Sequence, residues 1–208
     1  MKKLIDARDQ AVIFDTSVLL AGIERQGSDP RYSFSNMKGA YLEATFNHFQ
    51  YIKIHEEVWK ELSEDRRDFI QSGYNNKLEI VSEGNLYGFD PQYTTIFNDI
   101  AGYDLFRYKR MQKENRGDIF TLAYAAYYGV PFVSTRDTSM LMVMQELPCL
   151  MNVSSIGFEY LLVLGCLNNQ TNRELDKRLA ALYKLYCYPA IKQGLIPPTF
   201  NKFMEELI

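Results

Sequence analysis

Two short apolar runs end in aspartate, and they constrain this chain more than any other feature. Ala11-Val12-Ile13-Phe14 leads into Asp15-Thr16-Ser17, and Val130-Pro131-Phe132-Val133-Ser134 leads into Thr135-Arg136-Asp137. Continuous apolar stretches of this length suit strands buried on both faces, as in parallel sheets. Ligands in open α/β sheets bind beyond the carboxyl ends of the strands. The pattern therefore predicts two strands of one sheet, with Asp15 and Asp137 at a common edge. Between them, Gly117-Asp118 opens a helix whose Ile119, Leu122, Ala123 and Ala126 recur at helical spacing, and Gly129 closes it. A helix running antiparallel to the strand it feeds starts at that same edge. Asp118 then joins the other two carboxylates.

The remaining pattern alternates helices with short apolar strands. Helices are expected from Met37 to Gln50, from His55 to Ser72 with Gly73 as the stop, and from Gln92 to Asn115 with an interruption near Gly102. Two more are expected from Ser155 to Leu167 and from Asn172 to Tyr188. Thr16 or Ser17 is placed to cap a helix near Val18. Strand candidates are Tyr51–Ile54, Leu78–Val81 (or a helix end) and Leu150–Val153. Alternation of this kind predicts an α/β fold, three-layer α/β/α with a mostly parallel central sheet. No linker divides the 208 residues, so the expected organisation is a domain over 1–165 with a helical extension, 166–208, packed on it. In the last helix Leu175, Leu179, Leu182 and Leu185 form the expected apolar face.

Composition narrows the function. Hydrophobic residues make up 47% and charged residues 24%, which excludes a disordered chain or a coiled-coil rod. A net charge of −3 argues against coating nucleic acid through bulk charge. Cys149, Cys166 and Cys187 are odd in number and widely spaced, so neither a disulfide framework nor a zinc spacing is present, and a reducing, cytoplasmic setting is expected. His48 and His55 are the only histidines, too few for a His-rich metal site. The N-terminal Met1-Lys2-Lys3-Leu4-Ile5-Asp6 regains charge too soon for a signal peptide, and no apolar run approaches the ~18 residues of a membrane helix, so no membrane partner is expected.

Three carboxylates brought together repel one another, and one takes up a proton unless a cation neutralises them. Oxygen ligands without imidazole or thiolate favour Mg²⁺ or Mn²⁺ over Zn²⁺. One ion or two fit the sequence equally. Each acid also has a purely structural reading. Asp118 suits the first turn of its helix and Asp137 suits an N-cap for the stretch from Thr138 to Leu147.

These segments resemble a known family. Val12-Ile13-Phe14-Asp15-Thr16-Ser17-Val18-Leu19-Leu20 resembles the opening motif of PIN-domain nucleases. The helix from Asp118 and the strand ending Thr135-Arg136-Asp137 resemble that family's second half, and 150–161 its closing strand and helix. Val58-Trp59-Lys60-Glu61-Leu62 matches the family's Val-x-x-Glu-Leu pattern, with Glu57 one turn earlier as the alternative. The resemblance covers roughly residues 10 to 165 and implies a PIN-like fold. It implies a metal-dependent endoribonuclease in which Asp15, Glu61, Asp118 and Asp137 are catalytic and hold Mg²⁺ or Mn²⁺, and which leaves a 3′-hydroxyl. Independently of the resemblance, Ser17 and Thr135 are read as accessory groups orienting water or a ligand carboxylate, or equally as ordinary cap and strand-end hydroxyls. RNA or another single-stranded nucleic acid is the implied substrate, with an antitoxin-like protein as a further partner; a second copy of the chain is expected separately, as one of two surfaces, with the core, that the apolar face of the last helix could cover. The stretch from about Asn85 to Arg116 and the helices after Leu167 exceed the compact toxins of that family.

Arg107, Lys109, Arg110, Lys113 and Arg116 precede Asp118, interleaved with Tyr103, Phe106 and Tyr108. Cations of this kind hold phosphates while aromatics stack on unpaired bases; a solvated helix face is the competing reading. Two other functions fit parts of the pattern. A haloacid-dehalogenase-type phosphotransferase also opens with a strand-end Asp, but places a second acid where this chain has Ser17. A degenerate PIN-like module would bind without catalysis.

Overall fold

The computed structural model describes residues 2–23, 29–106, 116–168, 173–187 and 198–207. Five strands form one sheet: β1 (Ala11–Phe14), β2 (Tyr51–His55), β3 (Leu78–Val81), β4 (Phe132–Ser134) and β5 (Ser154–Ile156). Their order is β3-β2-β1-β4-β5, and every neighbouring pair is parallel rather than most of them. The chain builds outward from β1 to β3, then crosses back to place β4 on the other side of β1. That reversal opens a crevice beyond the carboxyl ends of β1 and β4, the usual ligand position in such sheets.

Alternation along β1 divides the core. Val12 and Phe14 face one apolar layer with Phe46, Phe49 and Ile54, whereas Ile13 faces the other with Leu122, Val133 and Val143. All three β1 side chains are fully buried, and burial of each stabilises by about 1.5–3 kcal/mol. Helices therefore cover both faces, giving the three-layer α/β/α arrangement. Leu179, Leu182, Tyr183 and Phe200, from the helices Arg173–Tyr186 and Phe200–Leu207, join the first layer, so the C-terminal helices share the core of the preceding residues. Leu185 is exposed instead, and the side chain of Leu175 lies outside the described residues.

Several boundaries differ from the sequence expectation. Asp15, rather than Thr16 or Ser17, caps the short helix Thr16–Leu19. The expected helix 37–50 starts earlier, at Phe34, and passes through a π-helical turn, Lys38–Leu42, before Glu43–His48. The helix Phe158–Asn168 crosses that turn with Gly165 in the contact: a Cβ there would lie 2.3 Å from the Ala40 carbonyl oxygen. The expected helix 55–72 is two, Glu56–Glu61 and Glu64–Tyr74. Leu62 turns extended and into the core between them, and Glu64 and Asp65 suit the new N-terminus. The last strand falls at 154–156, not 150–153. Pro148 starts a tight 3₁₀ turn over Pro148–Leu150, and the following Ser154-Ser155 carries little apolar signal because an edge strand buries less.

Candidate active site

Strand register sets the first contacts of the site. Phe14 pairs with Ser134, and the Asp15 amide extends the ladder by donating to the Ser134 carbonyl at 3.0 Å. Asp15 therefore stands level with Thr135, whose hydroxyl donates to Asp15 Oδ2 at 2.9 Å. The Ser17 hydroxyl donates to the same oxygen, and the Ser17 amide adds a bond at 3.2 Å. The Asp137 amide donates to Thr135 Oγ1 at 3.0 Å, so Thr135 ties the two strand-end acids together. Asp137 also caps the helix Thr138–Glu146, accepting from the amides of Ser139 at 2.6 Å and Met140 at 3.2 Å. The capping reading of Asp137 is thus correct, and the residue still faces the site.

Asp118 enters from the helix Arg116–Tyr128. Gly129, at φ +65°, reverses the chain after it, and the Val130 amide bonds back to the Ala125 carbonyl at 2.9 Å. The helix start then lies at the β4 carboxyl edge. Glu61 ends the helix that follows β2, and Thr16 Oγ1 donates to its Oε2 at 2.5 Å. Its other oxygen lies 3.2 Å from where a Cβ on Gly117 would stand, and Val58 Cγ2 is equally close to that point. A side chain at Gly117 would press on both, and Glu61 or Val58 would have to give by a few tenths of an ångström. Glu57, the alternative, instead accepts from Lys60 Nζ at 2.7 Å.

Asp15, Glu61, Asp118 and Asp137 line one open cleft of about 200 Å³ together with Thr16, Ser17 and Leu20. Asp15 is 2% exposed and Asp118 8%. Burial pushes the Asp15 carboxyl above the usual range, and the Asp137 charge adds to this, against the lowering effect of the Ser17 and Thr135 bonds. Glu61 is exposed overall, but loss of water around its carboxylate also pushes it up; the Thr16 bond opposes this, and the charges of Asp15 and Glu57 reinforce it. Among the described residues, no three His, Cys, Asp or Glu side chains already stand in metal-ligating geometry. The cleft is therefore an acidic pocket whose members share a wall without converging on one point.

The cationic run before Asp118 is mostly outside the described residues. Arg107, Lys109, Arg110 and Lys113 fall there entirely, as does the side chain of Arg116, whose backbone begins the helix. Tyr108 is also outside, but two of the interleaved aromatics correct the expectation of stacking platforms. Phe106 is fully buried, and the Tyr103 hydroxyl donates to Glu146. The residue that sequence reasoning passed over is Arg136. Its amide donates to Ser17 Oγ at 3.0 Å, its Nε to the Ser17 carbonyl at 2.7 Å, and its guanidinium lies 4.3 Å over the Tyr186 ring. Its position between Thr135 and Asp137 was the only signal available.

In comparisons with known proteins, the chain matches no family model and no curated sequence. No helix among the described residues is long and apolar enough to cross a membrane.

Proposed function

We propose that this chain is a divalent-metal-dependent nuclease of the PIN-like kind that cleaves phosphodiester bonds of RNA. The observation that carries the reading is the common cleft. Four carboxylates from four separated segments line it at the switch point of a parallel sheet. Structural capping explains Asp137 and part of Asp15, but not why Glu61 and Asp118 face the same space.

The donors fit the implied ion. All four offer hard oxygen, with no histidine or cysteine among the described residues lining the cleft, and the volume leaves room for retained water. Asp15, Glu61, Asp118 and Asp137 would hold Mg²⁺ or Mn²⁺, drawn closer once their mutual repulsion is neutralised. When bound, such an ion polarises a phosphate oxygen and lowers the pKa of water. Thr135 and Ser17 hold the Asp15 carboxylate in orientation, and Thr16 does the same for Glu61. Burial holds the Asp15 pKa above its ordinary value in the ion-free cleft, and a bound cation would draw it down again.

The test is cleavage of single-stranded RNA with Mn²⁺ or with chelator. Activity should require the ion and be lost in Asp118→Asn and Asp15→Asn. Full activity in either folded variant would remove the mechanism. No cleavage and no ion binding at millimolar concentration would favour a non-catalytic binding module. A phosphotransferase is disfavoured by local chemistry: one Asp15 oxygen takes three hydrogen bonds, and Ser17 stands where the second acid is needed.

A further inference from the structure

β2 ends in a buried histidine. Phe14 pairs with Ile54, so the next residues, Asp15 and His55, stand at the same edge of the sheet. His55 is fully buried, and a polar ring taken out of water needs partners for both nitrogens. Both have one. Nδ1 accepts from the Glu57 amide at 3.2 Å, and Nε2 lies 2.9 Å from Glu83 Oε2. A backbone amide can only donate, so Nδ1 carries no proton. In the neutral ring the proton is then on Nε2, which donates to the Glu83 carboxylate. Glu83 thereby fixes the tautomer.

The bond at Nδ1 is a helix cap. His55 is the N-cap of the helix Glu56–Glu61, at a position that Ser, Thr, Asp and Asn usually hold. That helix has six residues, under two turns, so its direction depends on what holds its ends. Its first turn hangs on His55, and its last residue is Glu61. The imidazole ring also lies flat on Phe120, with centroids 5.5 Å apart and planes at 14°, and Tyr124 meets it edge-on at 6.2 Å. Both aromatics belong to the helix that brings Asp118 to the cleft. Val58, from the capped helix, lies 3.2 Å from where a Cβ on Gly117 would stand, so the two helices meet beside both acids. A Ser or Asp cap would satisfy the same amide but would present no ring to Phe120.

We infer that His55 is a positioning residue for the acidic cleft: fixed as the Nε2–H tautomer by Glu83, it holds the helix that ends in Glu61 against the helix that brings in Asp118. The inference rests on the nuclease reading only in treating the cleft as a cation site, and it adds what keeps two of the four acids in place. His55 touches no ion and no substrate. It acts through the Glu57 amide on one side and the Phe120 ring on the other. Groups of this kind orient the residues that ligate, and their loss typically costs roughly 10–100-fold in metal affinity.

The experiment measures Mn²⁺ binding by the full chain and three variants, and reads the metal-free proteins by NMR. His55→Phe keeps a ring on Phe120 but deletes both nitrogen bonds, and should weaken Mn²⁺ binding roughly tenfold or more. Glu83→Leu, which frees the tautomer, should weaken it in the same direction. Glu83→Gln, which keeps an acceptor for Nε2–H, should bind Mn²⁺ as the wild type does. In the metal-free wild type, long-range proton–nitrogen spectra should show His55 protonated on Nε2 alone. Contacts between the Val58 methyls and the Gly117 α protons should be present there and in Glu83→Gln, and lost in His55→Phe. Unchanged Mn²⁺ affinity in folded His55→Phe, whatever its stability, overturns the inference and leaves His55 an ordinary cap. A proton on Nδ1 overturns it as well. If the wild type binds no Mn²⁺, the nuclease reading falls, and the tautomer and the Val58–Gly117 contacts still decide whether His55 positions the helix.

Discussion

Replacing Thr135 with Val should destabilise the protein by about 2–4 kcal/mol at neutral pH and by clearly less in mild acid. Val fills the same space but removes the hydroxyl. Thr135 is fully buried, so water cannot substitute for it. Its bond to Asp15 Oδ2 at 2.9 Å is of the charge-assisted kind, worth about 1.5–3 kcal/mol. The Asp137 amide, which donates to the same hydroxyl at 3.0 Å, adds about 1 kcal/mol. The pH dependence follows from the first bond. It is one of the contacts that oppose the burial-driven rise of the Asp15 pKa, so its loss moves that pKa further up. The charge-assisted part of the penalty exists only where Asp15 is ionised, and it fades as pH falls through the Asp15 pKa. Urea unfolding in chelator, at neutral and mildly acidic pH, reads this as a shifted midpoint at constant slope. A penalty under about 0.5 kcal/mol at neutral pH, or one equal at both pH values, would refute the reasoning.

Asp15→Asn should show the complementary behaviour in the metal-free protein. A carboxyl with a raised native pKa binds protons better folded than unfolded, so its contribution is full below the ordinary carboxylate range and is lost as pH rises through the raised value. The variant should therefore gain stability relative to wild type as pH increases over that window, and unfolding curves that stay parallel would contradict it. Gly165→Ala should cost about 3 kcal/mol or more, because the new Cβ meets backbone, the Ala40 carbonyl at 2.3 Å, rather than a yielding side chain. Denaturant unfolding checks this, and a loss below about 1 kcal/mol would mean the helices part easily.

The parts of the fold legible in the sequence are those fixed by continuous burial. Val12-Ile13-Phe14 and Phe132-Val133 are apolar because both faces of the central strands are covered, and that same burial announces Asp15 and Asp137 as exceptions. The sheet edge is legible less well. β5 is Ser154-Ser155-Ile156, half covered, and its signal was displaced onto the more apolar Leu150-Met151 nearby. Helix breaks such as Leu62-Ser63 were invisible because Leu62 still points inward after the chain leaves the helix. The site divides along similar lines. The three strand-edge and helix-start acids follow from topology, but Glu61 is legible only through resemblance, since its partner Thr16 lies 45 positions away in sequence. Arg136 has no pattern of its own: its anchor is the Ser17 carbonyl, a partner that sequence spacing does not reveal.

Anomalous diffraction from crystals equilibrated with Mn²⁺ bears most directly on whether the acidic cleft is a cation site. A peak is expected in the cleft, with Asp15 and at least one of Glu61, Asp118 and Asp137 as ligands, and no such peak in Asp118→Asn crystals treated identically. Clear density for all four carboxylates around an empty cleft at millimolar Mn²⁺ would contradict it.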